Sequence, residues 1–198
     1  MIAPMKRKKN QVRFFIIKRY RKKMKIVSVG FNIEGTRIDY PVMYKAGDNS
    51  FYLSHNFQKE DSISGTPFLD GNYDPLDSKQ HLILYGYHMK DGSMFADLMN
   101  YEKVDYYEKH KTIQLFLQEN EYEYEVFAVC VISAIDDKEL FYLPDSKEYG
   151  SYLADVKEKA VYETKNYPKN QERLLLLSTC EYSKEEGRLV VLAKEKTK

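Results

Sequence analysis

The sequence predicts a mainly β protein, folded as a small closed or nearly closed mixed barrel with helical insertions. Short apolar runs, alternating or continuous, recur along the chain and are separated by polar turns that contain Gly, Asp or Asn. The chain also contains 18 Tyr and no Trp, and aromatic residues of this kind favour strands. Its 198 residues are enough for one domain with a buried core.

Charge divides the chain into two parts. Residues 1–25 carry eleven Lys or Arg and no Asp or Glu, although the net charge of the whole chain is only +1. We therefore predict a basic arm over residues 1–25, disordered because its like charges repel, and one folded domain over residues 26–198. The stretch 6–25 is expected to stay solvated or to contact a membrane surface. Nucleic acid is not an expected partner, because no pattern of a known binding module accompanies the basic residues.

The first half of the folded domain is predicted to consist of strands joined by turns. Residues 26–43 contain two apolar stretches around Gly35, the second with strict alternation, which indicates a hairpin. Gly86 follows an apolar run and is expected to end its strand. The expected segments are the hairpin over 26–43, a segment over 49–57 after a Gly-Asp turn, and strands over 62–69 and 82–85.

The second half combines short helical turns, a hairpin and a longer helix. Residues 94–110 have helical spacing over one or two turns, and residues 112–117 with 122–135 indicate a hairpin. Residues 146–165 predict an amphipathic helix that ends before Pro168. Its expected apolar face consists of Tyr149, Leu153, Val156 and Ala160.

The stretch from Leu174 to Lys194 contains two apolar runs separated by a polar loop with one Gly, which predicts an antiparallel hairpin. Cys180 ends the first run and Arg188 opens the second, so the two residues would face each other at the mouth of the hairpin. A guanidinium near a thiol favours the reactive thiolate. It could also stabilise the oxyanion that forms when a thiolate attacks a carbonyl.

The two cysteines are predicted to have different roles. Cys130 lies within the apolar run VFAVCVI and is expected to be a buried structural residue. Cys180 is either an inert core thiol or a nucleophile, and its place beside Glu181 and opposite Arg188 favours the nucleophile. No His or Cys residues have metal-ligand spacing and no Gly-rich phosphate loop occurs, so we expect neither a metal nor another cofactor.

Four segments carry motifs in one recognisable order and spacing. They are IEGTRIDYPV at 33–42, FYLSHNF at 51–57, LYGYHMKDGSMFADL at 84–98, and LSTCEY followed by R-L-V-V-x-A-K within the last hairpin. Over residues 27–195 the chain resembles class B sortases, the cysteine transpeptidases of Gram-positive cell surfaces. The resemblance implies a closed barrel of about eight strands, with short helices and one longer helix inserted before the catalytic strand.

The resemblance also implies a reaction and a set of site residues. A sortase of this class would cleave an NPxTG-like sorting signal after Thr through a thioester on Cys180, with Arg188 stabilising the oxyanion. The acyl group would pass to an amine of a peptidoglycan precursor or a pilin. Leu53 could equally be a core residue, and Glu181 either orients Arg188 or lies in solvent. The implied peptide contacts are Asn49, Leu53, Tyr85, Ser178 and Glu181.

The general acid is the point at which the sequence departs from the family. Class B sortases place a His directly after the strand-ending Gly, often as G-H-H-M, whereas this chain has Tyr87 there and His88 one place later. Neighbouring side chains of an extended segment point to opposite faces, so His88 could replace that His only through a local twist. Three interpretations stay open: His88 rotates into the site, Tyr87 acts as a poor acid, or the chain is an impaired homologue that binds sorting-signal peptides.

Location and assembly follow from the resemblance alone. The family acts at the extracellular face of the cell membrane and carries an N-terminal anchor, whereas no run here approaches the roughly 20 apolar residues that span a bilayer. We expect a chain that is truncated or altered at its start, or held to the membrane by its basic arm. A monomer is expected.

Overall fold

The computed structural model describes residues 29–196, apart from 78–79, 118–119, 146, 170 and 184. Residues 1–25, predicted to form a basic arm, lie outside the described residues. The described part consists of eight strands, two α-helices and short 3-10 turns. The strands are β1 (Val29–Ile33), β2 (Asp39–Tyr44), β3 (Phe68–Leu69), β4 (Leu82–Tyr85), β5 (Thr112–Leu117), β6 (Asn120–Ser133), β7 (Leu174–Cys180) and β8 (Gly187–Glu195). The helices are α1 (Val104–Lys109) and α2 (Tyr149–Lys159), and the 3-10 turns are Phe51–Leu53, Ala96–Glu102 and Lys138–Phe141.

The eight strands close into a barrel in the order β1-β2-β3-β4-β7-β8-β6-β5, and β5 returns to pair with β1. The pairs β2–β3 and β4–β7 are parallel, whereas the remaining pairs are antiparallel. Closure leaves none of the described strands at an open sheet edge, which is a common solution for small β proteins. The predicted mainly β fold, a closed barrel of about eight strands with short helices and one longer inserted helix, is confirmed.

Strands β7 and β8 are buried on both faces, which explains why they consist of continuous apolar runs. Leu175 and Leu177 point into the barrel interior, together with Phe31, Leu84 and Val191. Leu174 and Leu176 lie on the outer face, in a second cluster. Helix α2 covers this cluster, with its buried residues Tyr149, Tyr152 and Val156. The strands that form the last hairpin are therefore fixed from two sides.

The strand predicted over residues 62–69 was too long, because only Phe68 and Leu69 pair in the sheet. Before them the chain turns back on the 3-10 segment: Ser62 N–H donates to Ser54 O, and Thr66 N–H donates to Tyr52 O. Gly65 has a φ of +54°, and an added Cβ there would lie 2.4 Å from the Tyr52 carbonyl oxygen. The residues from 62 to 66 therefore form a tight turn that brings the 3-10 segment beside β3.

The helix predicted over residues 146–165 is shorter, from Tyr149 to Lys159. It ends because Ala160 adopts an extended conformation and forms a bridge with Cys130, while Val161 N–H donates to Val129 O at 2.8 Å. Of the predicted apolar face, Tyr149 and Val156 are buried, whereas Leu153 and Ala160 are half-buried. None of the helices in the described ranges is long and apolar enough to cross a membrane.

Candidate active site

A cavity of about 380 Å³ opens where β4, β7 and β8 come together at the barrel wall. It brings together seven of the nine residues predicted for the site; His88 and Glu181 do not line it. Tyr52, Thr66, Phe68, Gly86 and Thr179 line it as well and were not predicted. The full lining is Asn49, Tyr52, Leu53, Thr66, Phe68, Tyr85, Gly86, Tyr87, Ser178, Thr179, Cys180 and Arg188.

The β7–β8 ladder positions the two residues at the mouth of the last hairpin. Cys180 is the last residue of β7, and its Cα partner on β8 is Arg188. Both side chains line the cavity, and the thiol of Cys180 is free and only half-buried. The predicted hairpin, and the cross-strand placement of Cys180 and Arg188, are confirmed.

The guanidinium of Arg188 has two short contacts within its own hairpin. Nη1 donates to Gly187 O at 2.9 Å, and Nη2 lies 3.2 Å from Glu186 Oε2. A guanidinium has five N–H donors, more than these two contacts use. The side chain is 27% exposed, so it is accessible from the cavity as well as held by the turn. Glu186 adopts a φ of +48° in that turn.

The segment after β4 stays extended past Gly86. Gly86 N–H donates to Ser178 O at 3.2 Å, Phe95 N–H donates to Tyr87 O at 2.9 Å, and His88 forms a bridge with Met94. In such a segment neighbouring side chains point to opposite faces. Tyr87 lines the cavity.

His88, by contrast, packs its ring against Tyr182, with 5.7 Å between the ring centroids. Its buried Nδ1 has no hydrogen-bond partner among the residues described. Burial raises the pKa of the Tyr87 phenol, and the charge of the Cys180 thiolate raises it further. Tyr87 therefore keeps its proton at neutral pH.

Gly86 is required by the close approach of Phe95. A Cβ at residue 86 would lie 2.6–2.8 Å from the Phe95 ring. That ring is fully buried, so it has no free volume into which to move. The glycine therefore allows β4 to end directly above the core and sets the position of Tyr87.

Tyr85 contacts a buried carboxylate that was not predicted from the sequence. Its hydroxyl donates to Asp70 Oδ2 at 2.9 Å, and Asp70 is only 5% exposed. Burial and the negative charge of Asp70 raise the pKa of Tyr85 well above its usual value, and the positive charge of Arg188 opposes this rise. Asp70 directly follows β3, which pairs with β4. The only sequence signal was its place at the start of an Asp-Gly-Asn turn.

The remaining predicted contact residues have distinct surroundings. Asn49 Oδ1 accepts from Gly71 N–H at 2.6 Å, which ties two loops together. Leu53 is 40% exposed, so the alternative that it belongs to the core is wrong. Ser178 lies on β7 and is 2% exposed. The Glu181 carboxylate accepts from Ser183, through both the backbone N–H and the hydroxyl, and the Glu186 carboxylate contacts Arg188.

Cys130 contrasts with Cys180. It lies on β6, fully buried against helix α2, and burial raises the pKa of its thiol to about 12. The prediction that Cys130 is structural is confirmed. In the part of the chain that the structure describes, no group of three His, Cys, Asp or Glu side chains could hold a metal ion.

The comparisons with known proteins point to one family. The family model for the sortase domain matches residues 31–196. Sortase B of Listeria monocytogenes is 35% identical over 169 residues, which is 82% of this chain and 67% of that protein. The structure of Clostridium perfringens sortase B has a TM-score of 0.82 at 30% identity, and covers 91% of this chain and 99% of that one. A Staphylococcus aureus sortase B–substrate complex has a TM-score of 0.80 at 29% identity, and covers 91% and 84%.

Proposed function

The chain belongs to the sortase family, in its class B, and on this premise we propose that it cleaves an NPxTG-like sorting signal after Thr and transfers the acyl group to a cell-wall amine. The observation that carries the proposal is the cross-strand placement of Cys180 and Arg188 on one cavity. Tyr85, Ser178, Asn49 and Leu53 line the same cavity. A sortase B–substrate complex among the structural relatives supports a peptide as the ligand.

In the proposed reaction Cys180 forms a thioester. Its thiolate sulfur attacks the carbonyl carbon of the Thr, a C–S bond forms, and the peptide C–N bond breaks. The departing nitrogen takes up one proton and leaves as an amine. An amine of a peptidoglycan precursor or of a pilin then attacks the thioester carbonyl, gives up a proton, and releases the thiolate as the new amide forms.

Arg188 is proposed to stabilise the oxyanion of each tetrahedral intermediate. The guanidinium faces the nucleophile across the ladder and carries more N–H donors than its contacts to Gly187 and Glu186 use. The oxyanion would therefore meet a charged donor on the strand opposite Cys180.

Tyr87 is proposed to be the group that faces the leaving amine. It lines the cavity, whereas the ring of His88 packs on Tyr182 outside it. A phenol with a raised pKa holds its proton but releases it reluctantly. Loss of a matched acid–base group costs about 10²–10⁴-fold in rate, so we expect slow turnover at an otherwise complete site.

A second candidate function follows from the same side chain. If Tyr87 cannot supply the proton at all, the chain is an impaired homologue that binds sorting-signal peptides. The placement of Tyr87 at the family's His position, with His88 turned away, favours this alternative over a rotated His88. The two candidates differ in whether a thioester forms.

The proposed location is the outer face of the cell membrane, where the family's peptides and cell-wall amines are found. Residues 6–25 are proposed to contact anionic lipid there through their basic side chains. We propose that the chain acts as a monomer.

Intact-mass analysis tests the proposed function. The wild-type chain, Cys180→Ala and Tyr87→His are each incubated with an NPxTG-type peptide. We expect the wild type to gain the mass of the acyl fragment, Cys180→Ala to gain nothing, and Tyr87→His to turn the peptide over faster. An adduct on Tyr87→His alone would establish the impaired homologue. No adduct on either chain would contradict the transpeptidase.

A further inference from the structure

A buried carboxylate fixes the direction of the hydrogen bond made by Tyr85. Asp70 Oδ2 accepts from the Tyr85 hydroxyl at 2.9 Å, and Asp70 Oδ1 accepts from Asn72 N–H at 2.8 Å. Asp70 is 5% exposed, so both carboxylate oxygens are largely shielded from water. The carboxylate is thus held between a backbone donor and the phenol.

The hydrogen bond to Asp70 limits what the Tyr85 oxygen can offer to a ligand. A phenol has one proton and two lone pairs, and an ionised carboxylate can only accept. When the single proton is used on Asp70, the phenol can offer a ligand only a lone pair. Tyr85 lines the cavity beside Ser178, and its ring lies against Phe68 with centroids 5.3 Å apart, so the phenol is held in place.

We propose that Asp70 is a positioning residue that makes the Tyr85 oxygen an obligatory acceptor for one N–H group of the bound peptide. This inference rests on the proposed function, because the ligand it describes is the sorting-signal peptide. The group recognised is an amide N–H, either of the peptide backbone or of the Asn side chain. Peptide analogues that lack this N–H should therefore bind more weakly, because the Tyr85 oxygen held by Asp70 has no proton to donate to them.

A single substitution reverses the hydrogen bond. In Asp70→Asn the Asn72 N–H still requires an acceptor, which places the amide oxygen at the Oδ1 position. The amide NH₂ then takes the Oδ2 position and donates to Tyr85. The Tyr85 hydroxyl is released and can donate to the ligand, so the preference for a donor becomes a preference for an acceptor. Tyr85→Phe, which removes the oxygen, is the matched control.

The experiment measures peptide affinity by calorimetry in a Cys180→Ala background, which prevents acylation. The parent peptide contains Asn-Pro-Ala-Thr-Gly. In four analogues one donor group is removed: a backbone ester at Ala, Thr or Gly removes a single N–H, and a methyl ester in place of the Asn amide removes its NH₂ group. We expect one analogue to bind about three- to tenfold more weakly than the parent. This penalty should vanish in Tyr85→Phe and become a gain in affinity in Asp70→Asn.

A penalty of equal size in all three chains would overturn the inference while leaving peptide binding intact. Failure of the parent peptide to bind would instead count against the proposed function. For that case NMR of the ligand-free chain, labelled at the tyrosine ring carbon that bears the hydroxyl, decides the inference alone. We expect a slowly exchanging hydroxyl proton that is absent in Tyr85→Phe and exchanges faster in Asp70→Asn. The same exchange rate in wild type and Asp70→Asn would contradict the role of Asp70.

Discussion

Different features of the backbone place the side chains on the two sides of the cavity. On the β7–β8 side the backbone ladder decides which residues meet, because Cys180 and Arg188 are cross-strand partners. On the β4 side the ladder ends at Tyr85, and the next side chains are placed by the alternation of an extended segment. The first side presents a thiol and a guanidinium to the cavity, whereas the second presents the phenol of Tyr87.

The two sides therefore differ in what determines which side chain faces the cavity. In the hairpin a partner is selected by register, which seven consecutive pairs from Leu174 to Cys180 fix together. After β4, alternation along the extended segment decides whether a side chain faces the cavity, so neighbouring residues face opposite ways. His88, one residue after Tyr87, therefore does not line the cavity that Tyr87 and Cys180 share. His88 is adjacent to Tyr87 in sequence and yet contacts Tyr182.

The largest expected effect is on the rate of peptide cleavage, and it comes from a substitution on the β4 side of the cavity. Tyr87→His places an imidazole on the cavity, and we expect the rate of peptide cleavage to rise about 10²–10⁴-fold. His88→Ala is the matched control and should change the rate less than threefold. Steady-state cleavage of an NPxTG-type peptide measures both. A large loss in His88→Ala would mean that His88 reaches the site after all, and the contrast between the halves would fail.

The hairpin half is tested next, through Arg188→Lys. Lysine keeps the charge but not the planar set of N–H donors, so we expect acylation to slow by about 10²–10³-fold. Glu186→Gln is the control, since it removes only the negative charge of the side chain 3.2 Å from Arg188 Nη2 and should change acylation little. Single-turnover rates of adduct formation separate the two. Equal rates in Arg188→Lys and wild type would remove Arg188 from the chemistry.

A smaller effect is expected on stability, where β4 ends. Gly86→Ala puts a methyl group 2.6–2.8 Å from the buried Phe95 ring. We expect it to lower the free energy of unfolding by about 1–3 kcal/mol. Gly150→Ala is the matched control, because among the described residues no atom beyond its chain neighbours and its own helix backbone lies within 4 Å of the added Cβ, and it should raise stability by about 0.5–1 kcal/mol. Urea denaturation measures both, and a neutral Gly86→Ala would show that the segment is not fixed by Phe95.

The smallest expected effect is a decrease in the free energy of unfolding at high pH, to which a buried thiol on β6 contributes. Cys130 lies opposite Val190 of β8, and burial raises the pKa of its thiol to about 12. Burial also raises the pKa of Tyr106 and of Tyr167 to about 12. Above pH 9 the unfolded chain loses protons that the folded chain keeps, so unfolding becomes more favourable as pH rises.

Cys130 alone should contribute on the order of 1–2 kcal/mol between pH 9 and pH 10.5. Urea unfolding at several pH values measures this slope, and Cys130→Ala provides the comparison. Its slope should be shallower than that of the wild type. Parallel slopes for the two chains would mean that the thiol is not protected by burial in the folded state.

Much of the hairpin half was predictable from the sequence because its signal is local. Two apolar runs and a short polar loop fix the register that pairs Cys180 with Arg188. The two core clusters bury β7 on both faces, which accounts for its continuous apolar run. In this half, residues close in sequence are also close in space.

The rest of the site depends on contacts between distant segments, which no local pattern records. Asp70 meets Tyr85 because β3 pairs with β4, and β4 reaches Cys180 only through its parallel pairing with β7. The strand predicted over 62–69 was too long because hydrogen bonds to Ser54 and Tyr52 bend the chain. Alternation predicted that Tyr87 and His88 would diverge, but only the structure shows which of them lines the cavity.

The most direct test of which side chain faces Cys180 needs no substrate. The rate of Cys180 alkylation is measured against pH in the wild type, Tyr87→His and His88→Ala; the buried Cys130 is not expected to react. If residue 87 faces the thiol, Tyr87→His should move the alkylation midpoint to lower pH, because an imidazolium stabilises the thiolate, and His88→Ala should leave it in place. A shift in His88→Ala with no shift in Tyr87→His would contradict the arrangement and make His88 the partner of Cys180.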